Sequence, residues 1–214
     1  MADTHSFTKG EELANAITHG IGVALSIAAT VLLIVFAALK GTALHVVSFS
    51  IYGTSMILLY TASTLVHSFP SGKAKNVFES LDHSCIYVFI AGTYTPIVFH
   101  MVQGALGWVL FGIVWGLSVI GVIFKSMFAS RFMYTSTIIY ILMGWCIIFA
   151  WKPLTANLSP EGVRLLVIGG ILYTFGTIFY VWRKFKFHHA VWHLFVLAGT
   201  VVHFFAIILY VLPN

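Results

Sequence analysis

Three histidines have the residue type and spacing of a metal site. His189 and His193 are four residues apart in an apolar segment, which places both imidazoles on one face of a helix. His67 closes another apolar segment. Three neutral imidazoles that leave the fourth position to water form the ligand set of a catalytic zinc site, whereas structural zinc sites are closed and often use thiolates. We therefore predict that His67, His189 and His193 bind zinc, although an interfacial histidine pair would show the same spacing.

Two further polar residues are candidates for catalysis beside such a site. Asp82 opens a third apolar segment, and Ser63 lies one helical turn before His67. Zinc lowers the pKa of a bound water to about 7, and a nearby carboxylate can hydrogen-bond that water or act as general base. We expect Asp82 in that role, and we expect Ser63 to orient a ligand or a substrate carbonyl.

A second motif opens the first apolar segment. Glu12, Asn15 and His19 follow one another at spacings of three and four, so they lie on one helix face. Acidic residues near the positive end of a helix dipole would explain Glu12, but they would not explain Asn15 and His19. We expect the remaining histidines outside these motifs to be interfacial or satisfied locally: His5, His45, His100, His188 and His203.

Composition places these residues in a membrane protein. The chain has 214 residues, of which 60% are hydrophobic and 8% are charged, and its mean hydropathy is +0.99. Soluble chains carry about 25% charged residues, so the composition excludes a water-soluble enzyme, a disordered chain and a disulfide-stapled secreted domain. Cys85 and Cys146 lie in apolar stretches without a C-x-x-C pair, and we expect both to be buried apolar residues.

Seven apolar segments are long enough to cross a bilayer, which takes about 20 residues each. They lie near residues 13–39, 43–67, 80–101, 104–124, 132–151, 162–182 and 187–212. The alternating ten-residue pattern of a membrane β-barrel is absent. The prediction is an all-α integral membrane protein, with a polar tail at 1–12 and a single seven-helix transmembrane domain at 13–214. The tail is too polar for a cleavable signal, so the first span is expected to be retained.

Basic residues predict the orientation of the bundle, with a cytoplasmic N-terminus and the C-terminus outside the plasma membrane. One set of span ends carries Lys9, Lys73, Lys75, Lys125, Arg131, Arg183, Lys184 and Lys186, and the other carries Lys40, Lys152 and Arg164. We interpret the formal net charge of +5 as this orientation signal rather than as nucleic-acid binding.

Alternation of direction puts all the polar motifs on one side, because spans 1, 3 and 7 begin where span 2 ends. At a rise of 1.5 Å per residue, the three predicted zinc ligands lie within roughly 10 Å of that boundary. The imidazoles can meet if spans 2 and 7 are neighbours.

Taken together, these residues resemble the hemolysin III branch of the progestin and adipoQ receptor (PAQR) family. The resemblance rests on E-x-x-N-x-x-x-H, S-x-x-x-H, Asp82, H-x-x-x-H and the stretch LDHSCIYVFIAGTYTP at 81–96, and it covers essentially the whole chain. It implies seven helices with a cytoplasmic N-terminus and zinc held by His67, His189 and His193, with Asp82 near the zinc-bound water. The wider superfamily includes alkaline ceramidases, which implies lipid amide hydrolysis.

Three functions remain open at the level of sequence. The first is a zinc-dependent membrane hydrolase of a ceramide-like lipid amide or ester, with membrane lipids as partners. The second is a non-enzymatic regulator or sensor of membrane lipid homeostasis in which structural zinc joins spans 2 and 7. The third is the hemolysin or cytolysin activity in the family name, against which stands the lack of a soluble form in a chain with seven retained spans.

Overall fold

The fold is described by a computed structural model that covers residues 7–129 and 131–213. Seven of its helices are long and apolar enough to cross a membrane, so the prediction of an all-helical seven-span bundle is confirmed. The chain is therefore a multi-pass membrane protein. In chain order, spans 1 to 7 are Lys9–Lys40, Ala43–Ser68, Lys73–Val102, Gly104–Phe128, Met133–Asn157, Pro160–Val181 and His188–Tyr210.

Span 1 begins inside the predicted tail 1–12, because a local motif starts the helix early. The Thr8 hydroxyl oxygen accepts the backbone N–H of Glu11 at 3.3 Å, and the Glu11 carboxylate accepts the N–H of Thr8 at 2.9 Å. This capping box satisfies two backbone donors and fixes the first turn. Residues 1–6, which include His5, lie outside the described residues.

Spans 3 and 5 are not uniform α-helices. Span 3 continues from its α-helix, Lys73–Ile97, into a π-helical turn, Val98–Val102. Pro96 lies two residues before the first residue of that turn and has no N–H to donate, which weakens the regular hydrogen-bond ladder. Span 5 consists of two α-helices, Met133–Trp145 and Trp151–Asn157, joined by the 3₁₀ turn Cys146–Ala150.

The packing order makes span 3 the central helix. Spans 1 to 4 pack as successive antiparallel neighbours, span 6 pairs with span 7, and span 1 also contacts span 7. Span 5 contacts spans 3 and 6. In span 3, 78% of the most apolar stretch is buried inside the protein, against 17–50% in the other spans, whose remaining surface is available to lipid.

Side chains of spans 2 and 7 meet, which was the condition for a shared site. The Tyr60 hydroxyl donates to Thr200 Oγ1 at 2.7 Å, and both residues are buried. Tyr173 of span 6 brings its own hydroxyl to the same threonine oxygen at 3.0 Å. The hydrogen bond between Tyr60 and Thr200 lies deeper in the bundle than the predicted zinc ligands.

We call the end of the bundle where spans 1, 3, 5 and 7 begin the N-terminal face. Most of the basic residues lie at this face. Lys125 is an exception to simple surface charge, because it is buried and its ammonium donates to the carbonyls of Ala129 and Arg131 at 3.0 and 3.1 Å. The cytoplasmic location of the N-terminal face stays a prediction based on charge.

That orientation is tested with a protease-cleavable tag placed at either terminus in intact cells. Because loops rich in lysine and arginine stay on the cytoplasmic side, external protease is expected to remove the C-terminal tag and to leave the N-terminal tag intact. The reverse pattern would contradict the predicted topology.

Candidate metal centre

The structure brings His67, His189 and His193 together at the N-terminal face. Each offers one ring nitrogen, and these three atoms lie within 4.8 Å of one another. The ring centroids are 4.5 Å apart for the span 7 pair, and His67 lies 5.1 and 5.3 Å from His189 and His193. Tetrahedral zinc with bonds of about 2.0–2.1 Å needs ligand atoms at such close range, with one position left for water. The group can therefore hold a metal ion.

Span 1 supplies the acceptors that orient two of these imidazoles. His67 Nδ1 lies 2.6 Å from a Glu12 carboxylate oxygen, and His193 Nδ1 lies 3.2 Å from the backbone carbonyl of Asn15. An acceptor at Nδ1 keeps the hydrogen there and leaves the lone pair on Nε2, which is how metal-binding histidines are usually held. Nε2 of His67 is buried and has no hydrogen-bond partner among the described residues. The donor set therefore fits a metal ion.

A basic residue compensates the charge of Glu12. Lys75, in the first turn of span 3, places its ammonium 2.5 Å from the second oxygen of the Glu12 carboxylate. A carboxylate near a membrane interior is costly unless it is paired. The network Lys75–Glu12–His67 therefore joins the ends of three spans and keeps the acceptor at Nδ1 charged.

His19, the third member of the span 1 motif, packs behind the histidine cluster. Its ring stacks on His193 with centroids 3.4 Å apart, and it meets the edge of Tyr60 at 5.0 Å. Both its nitrogens are buried without a partner in the described part of the chain. Its nitrogens are not among the three that converge. The sequence placed Glu12, Asn15 and His19 on one helix face, and the structure shows that this face lies against the cluster.

A cavity of about 130 Å³ opens beside the histidines. Asp82 and Ser63 both line it, together with His189 and His193. The Ser63 side chain is buried and lies beside the Asp82 carboxylate. Most of the wall is apolar, and includes Leu59, Ile86, Ile90, Ile141, Trp192 and Val196. The predicted catalytic residues thus share one cavity with two of the three predicted ligands, His189 and His193.

The wall of the cavity also contains polar residues that the sequence did not single out. Tyr180 brings its hydroxyl to within 3.3 Å of His83 Nε2, and Tyr140 donates to the His83 carbonyl at 2.9 Å. These bonds attach spans 5 and 6 to span 3 at the level of Asp82. Tyrosines in apolar spans carry no helical pattern that distinguishes a cavity wall from an interface, so no sequence pattern identifies them.

Four other histidines, which we expected to be interfacial or satisfied locally, make a hydrogen bond through one ring nitrogen, and Nδ1 of His203 is buried without a partner among the described residues. Each has a ring nitrogen within 3.2 Å of a hydrogen-bonding group on a nearby residue: His45 with Thr42, His100 with Ser48, His188 with Phe179 and His203 with Leu166. His45 and His100 stack on each other at the opposite end of the bundle, with centroids 3.6 Å apart.

Fold and site together define a seven-span membrane protein with a histidine cluster at one face. The family model described as Haemolysin-III related matches residues 7–204, and the chain belongs to that family. It is 55% identical to the "Hemolysin-3 homolog" of Bacillus subtilis (strain 168), over 95% of this chain and 96% of that protein. It is 54% identical to "Hemolysin-3" of Bacillus cereus, over 95% and 93%.

A more distant relative links the chain to the PAQR family. The chain is 27% identical to the human "Monocyte to macrophage differentiation factor", over 92% of this chain and 83% of that protein. The resemblance inferred from the motifs is thereby confirmed.

Glu12→Gln tests the orienting bond. Loss of the carboxylate charge weakens the hydrogen bond that Glu12 accepts from Nδ1–H of His67. The affinity for zinc is therefore expected to fall about 10–100-fold, which is the usual effect of losing such a partner. Competition with a chromogenic zinc chelator measures the affinity. Glu161→Gln, an exposed change at the far end of the bundle, is the control, and equal affinities in both variants would show that Glu12 does not support the site.

Proposed function

We propose that the protein is a zinc-dependent hydrolase that cleaves an amide or ester bond of a membrane lipid. The observation that carries the proposal is a cluster of three imidazoles, two of which, His189 and His193, line an apolar cavity. Asp82 and Ser63 line the same cavity. A polar centre of this composition is expensive beside a membrane interior, and such centres are usually functional.

Zinc is the metal that the donor set favours. Imidazole nitrogens bind zinc, copper, nickel and iron, and three histidines with one open position are typical of catalytic zinc. When bound, zinc in such a site acts as a Lewis acid and makes a water nucleophilic near neutral pH. Glu12 and Asn15 hold the imidazole tautomers that this binding requires.

The chain's own residues divide the remaining work. The Asp82 carboxylate accepts a proton from the water that attacks the carbonyl carbon, and returns it to the leaving amine or alcohol as the C–N or C–O bond breaks. The Ser63 hydroxyl donates a hydrogen bond to the carbonyl oxygen, which gains negative charge in the transition state. Both groups line the cavity beside the histidines.

The apolar wall fits the acyl chain of the substrate. Its aliphatic and aromatic side chains come from spans 2, 3, 5, 6 and 7, and span 4 contributes none of the described lining residues. A chain bound there would present its carbonyl at the polar end of the cavity. The predicted partners are therefore membrane lipids, and a ceramide-like lipid amide is the first candidate.

A structural role for zinc is the second candidate. The histidine cluster joins span 2 to span 7, and the acceptors on span 1 hold it from behind. An ion there would fix three helix ends and let the bundle act as a regulator of membrane lipid state without chemistry. In that case removal of zinc would lower the thermal midpoint of unfolding, and no lipid would be turned over.

Lysis of cells is a third candidate, taken from the printed name of the Bacillus cereus relative. It requires the protein to act on a membrane other than its own. Purified protein added to erythrocytes would have to release haemoglobin, and release that also occurs with the His189→Ala variant would separate lysis from the metal centre.

Asp82→Asn separates the first two candidates. Proteoliposomes with a fluorescent ceramide and a matched fluorescent ester are expected to show zinc-dependent turnover, which the variant lowers by about 10²–10⁴-fold because the general base is lost. Zinc content is expected to stay unchanged, and Glu161→Gln serves as the control. Absence of turnover in the wild-type protein, together with stabilisation by zinc, would contradict the hydrolase and support the regulator.

A further inference from the structure

The described chain begins with an aromatic ring that lies on the histidine cluster. The centroid of Phe7 is 5.1 Å from that of His189 and 5.7 Å from that of His67. It is also 5.9 Å from the ring of His188. Phe7 thus contacts two of the three imidazoles that can hold a metal, from the side of the N-terminal face.

The segment that carries Phe7 is fixed to the start of span 7. One oxygen of the buried Glu11 carboxylate accepts the N–H and the hydroxyl of Thr8, at 2.9 and 2.8 Å. The other oxygen accepts the backbone N–H of Phe187 at 3.1 Å. Phe187 has a φ of 63° and directly precedes the helix that begins with His188 and His189. Glu11 therefore holds the Phe7 segment and the turn before span 7 against each other.

The ring and the cavity lie on different sides of the cluster. The cavity runs from His189 and His193 into the bundle, as far as His203. Phe7 is not among the residues that line it. A hydrated ion or a charged solute that approaches from water at the N-terminal face would have to displace the apolar ring of Phe7. An apolar molecule inside the membrane would instead reach the imidazoles through the cavity, whose walls are mostly apolar.

We propose that Phe7 closes the aqueous side of the metal centre, and that it thereby determines which ligands reach the site. Charged, water-soluble ligands are excluded and apolar ones are admitted through the cavity. The inference rests on the proposed metal centre and deepens it, because it assigns the substrate and any inhibitor to molecules that partition into the membrane. Exclusion of bulk water also strengthens the electrostatic interactions inside the site.

The experiment compares two zinc chelators on zinc-loaded protein in lipid nanodiscs. EDTA is charged and acts from water, whereas 1,10-phenanthroline is apolar and enters the membrane. The Phe7→Ala variant is expected to release zinc to EDTA about tenfold faster than the wild type. The reason is that EDTA no longer has to break the contacts between the Phe7 ring and the imidazoles before it reaches the site. Release to phenanthroline is expected to stay the same, and the equilibrium zinc affinity is expected to change little.

Two more variants serve as controls. One tests whether any apolar side chain at position 7 is sufficient, and the other tests whether loss of an aromatic ring elsewhere at the N-terminal face has the same effect. Phe7→Leu keeps an apolar group in place and is expected to restore slow release to EDTA. Phe128→Ala removes a half-buried aromatic ring elsewhere at the N-terminal face, where it packs on Phe124 and Phe132. That variant is expected to match the wild type with both chelators.

The possible results separate this inference from the proposed function. Wild-type protein that binds no zinc would overturn the metal centre itself. Zinc that binds, and that leaves Phe7→Ala and wild type at equal rates in EDTA, would overturn the closure. Faster release to both chelators, with a fall in affinity, would also overturn it, since Phe7 would then stabilise the site rather than restrict access.

Discussion

The hydrogen bond between Glu12 and His67, 2.6 Å long, determines which nitrogen of this imidazole faces the cluster. With the hydrogen held on Nδ1, the buried Nε2 is left as a lone-pair donor, and it has no hydrogen-bond partner among the residues that the structure describes. The carboxylate can remain charged in this location because Lys75 pairs with its other oxygen. The arrangement therefore requires the start of span 1, the end of span 2 and the start of span 3 to lie at one level, and antiparallel packing supplies that.

Several buried polar atoms near this bond have no hydrogen-bond partner in the described part of the chain. Most buried polar groups in proteins have a hydrogen-bond partner, and exceptions call for an explanation such as a catalytic role or a bound ion. Among residues 7–129 and 131–213, the exceptions include the side-chain oxygen of Asn15, Nε2 of His67 and both nitrogens of His19. These three residues lie in spans 1 and 2 near the N-terminal face. A bundle that was only structural would gain stability from apolar residues at these positions, so their concentration supports a ligand-binding role.

Helical periodicity and span direction predict the number of spans and the face at which the polar motifs lie. Apolar length fixed the number of spans, and alternation of direction placed every polar motif at one face before any contact was known. Spacing also grouped Glu12, Asn15 and His19 correctly on one face of span 1. Periodicity does not fix how a helix is rotated toward its neighbours, so the Glu12–His67 bond and the stack of His19 on His193 could not be predicted.

Other features of the structure could not be predicted from the sequence, each for a different reason. Thr8 and Glu11 start the helix of span 1 before the apolar pattern begins, so the apolar length alone does not mark the first turn of this helix. The contact of Tyr180 with His83 depends on how spans 6 and 3 approach each other, which no local pattern records. The position of Phe7 depends on a bond from Glu11 to a residue 176 positions further along the chain.

X-ray absorption at the zinc edge, on protein purified in native-like lipid, measures the number and type of the atoms around the metal. We expect one zinc ion per chain, bound by three imidazole nitrogens at about 2.0–2.1 Å and one oxygen, with loss of the ion in His189→Ala and its retention in His100→Ala. A zinc-free wild-type protein, a sulfur-bound ion, or an ion that survives the loss of His189 would contradict this expectation.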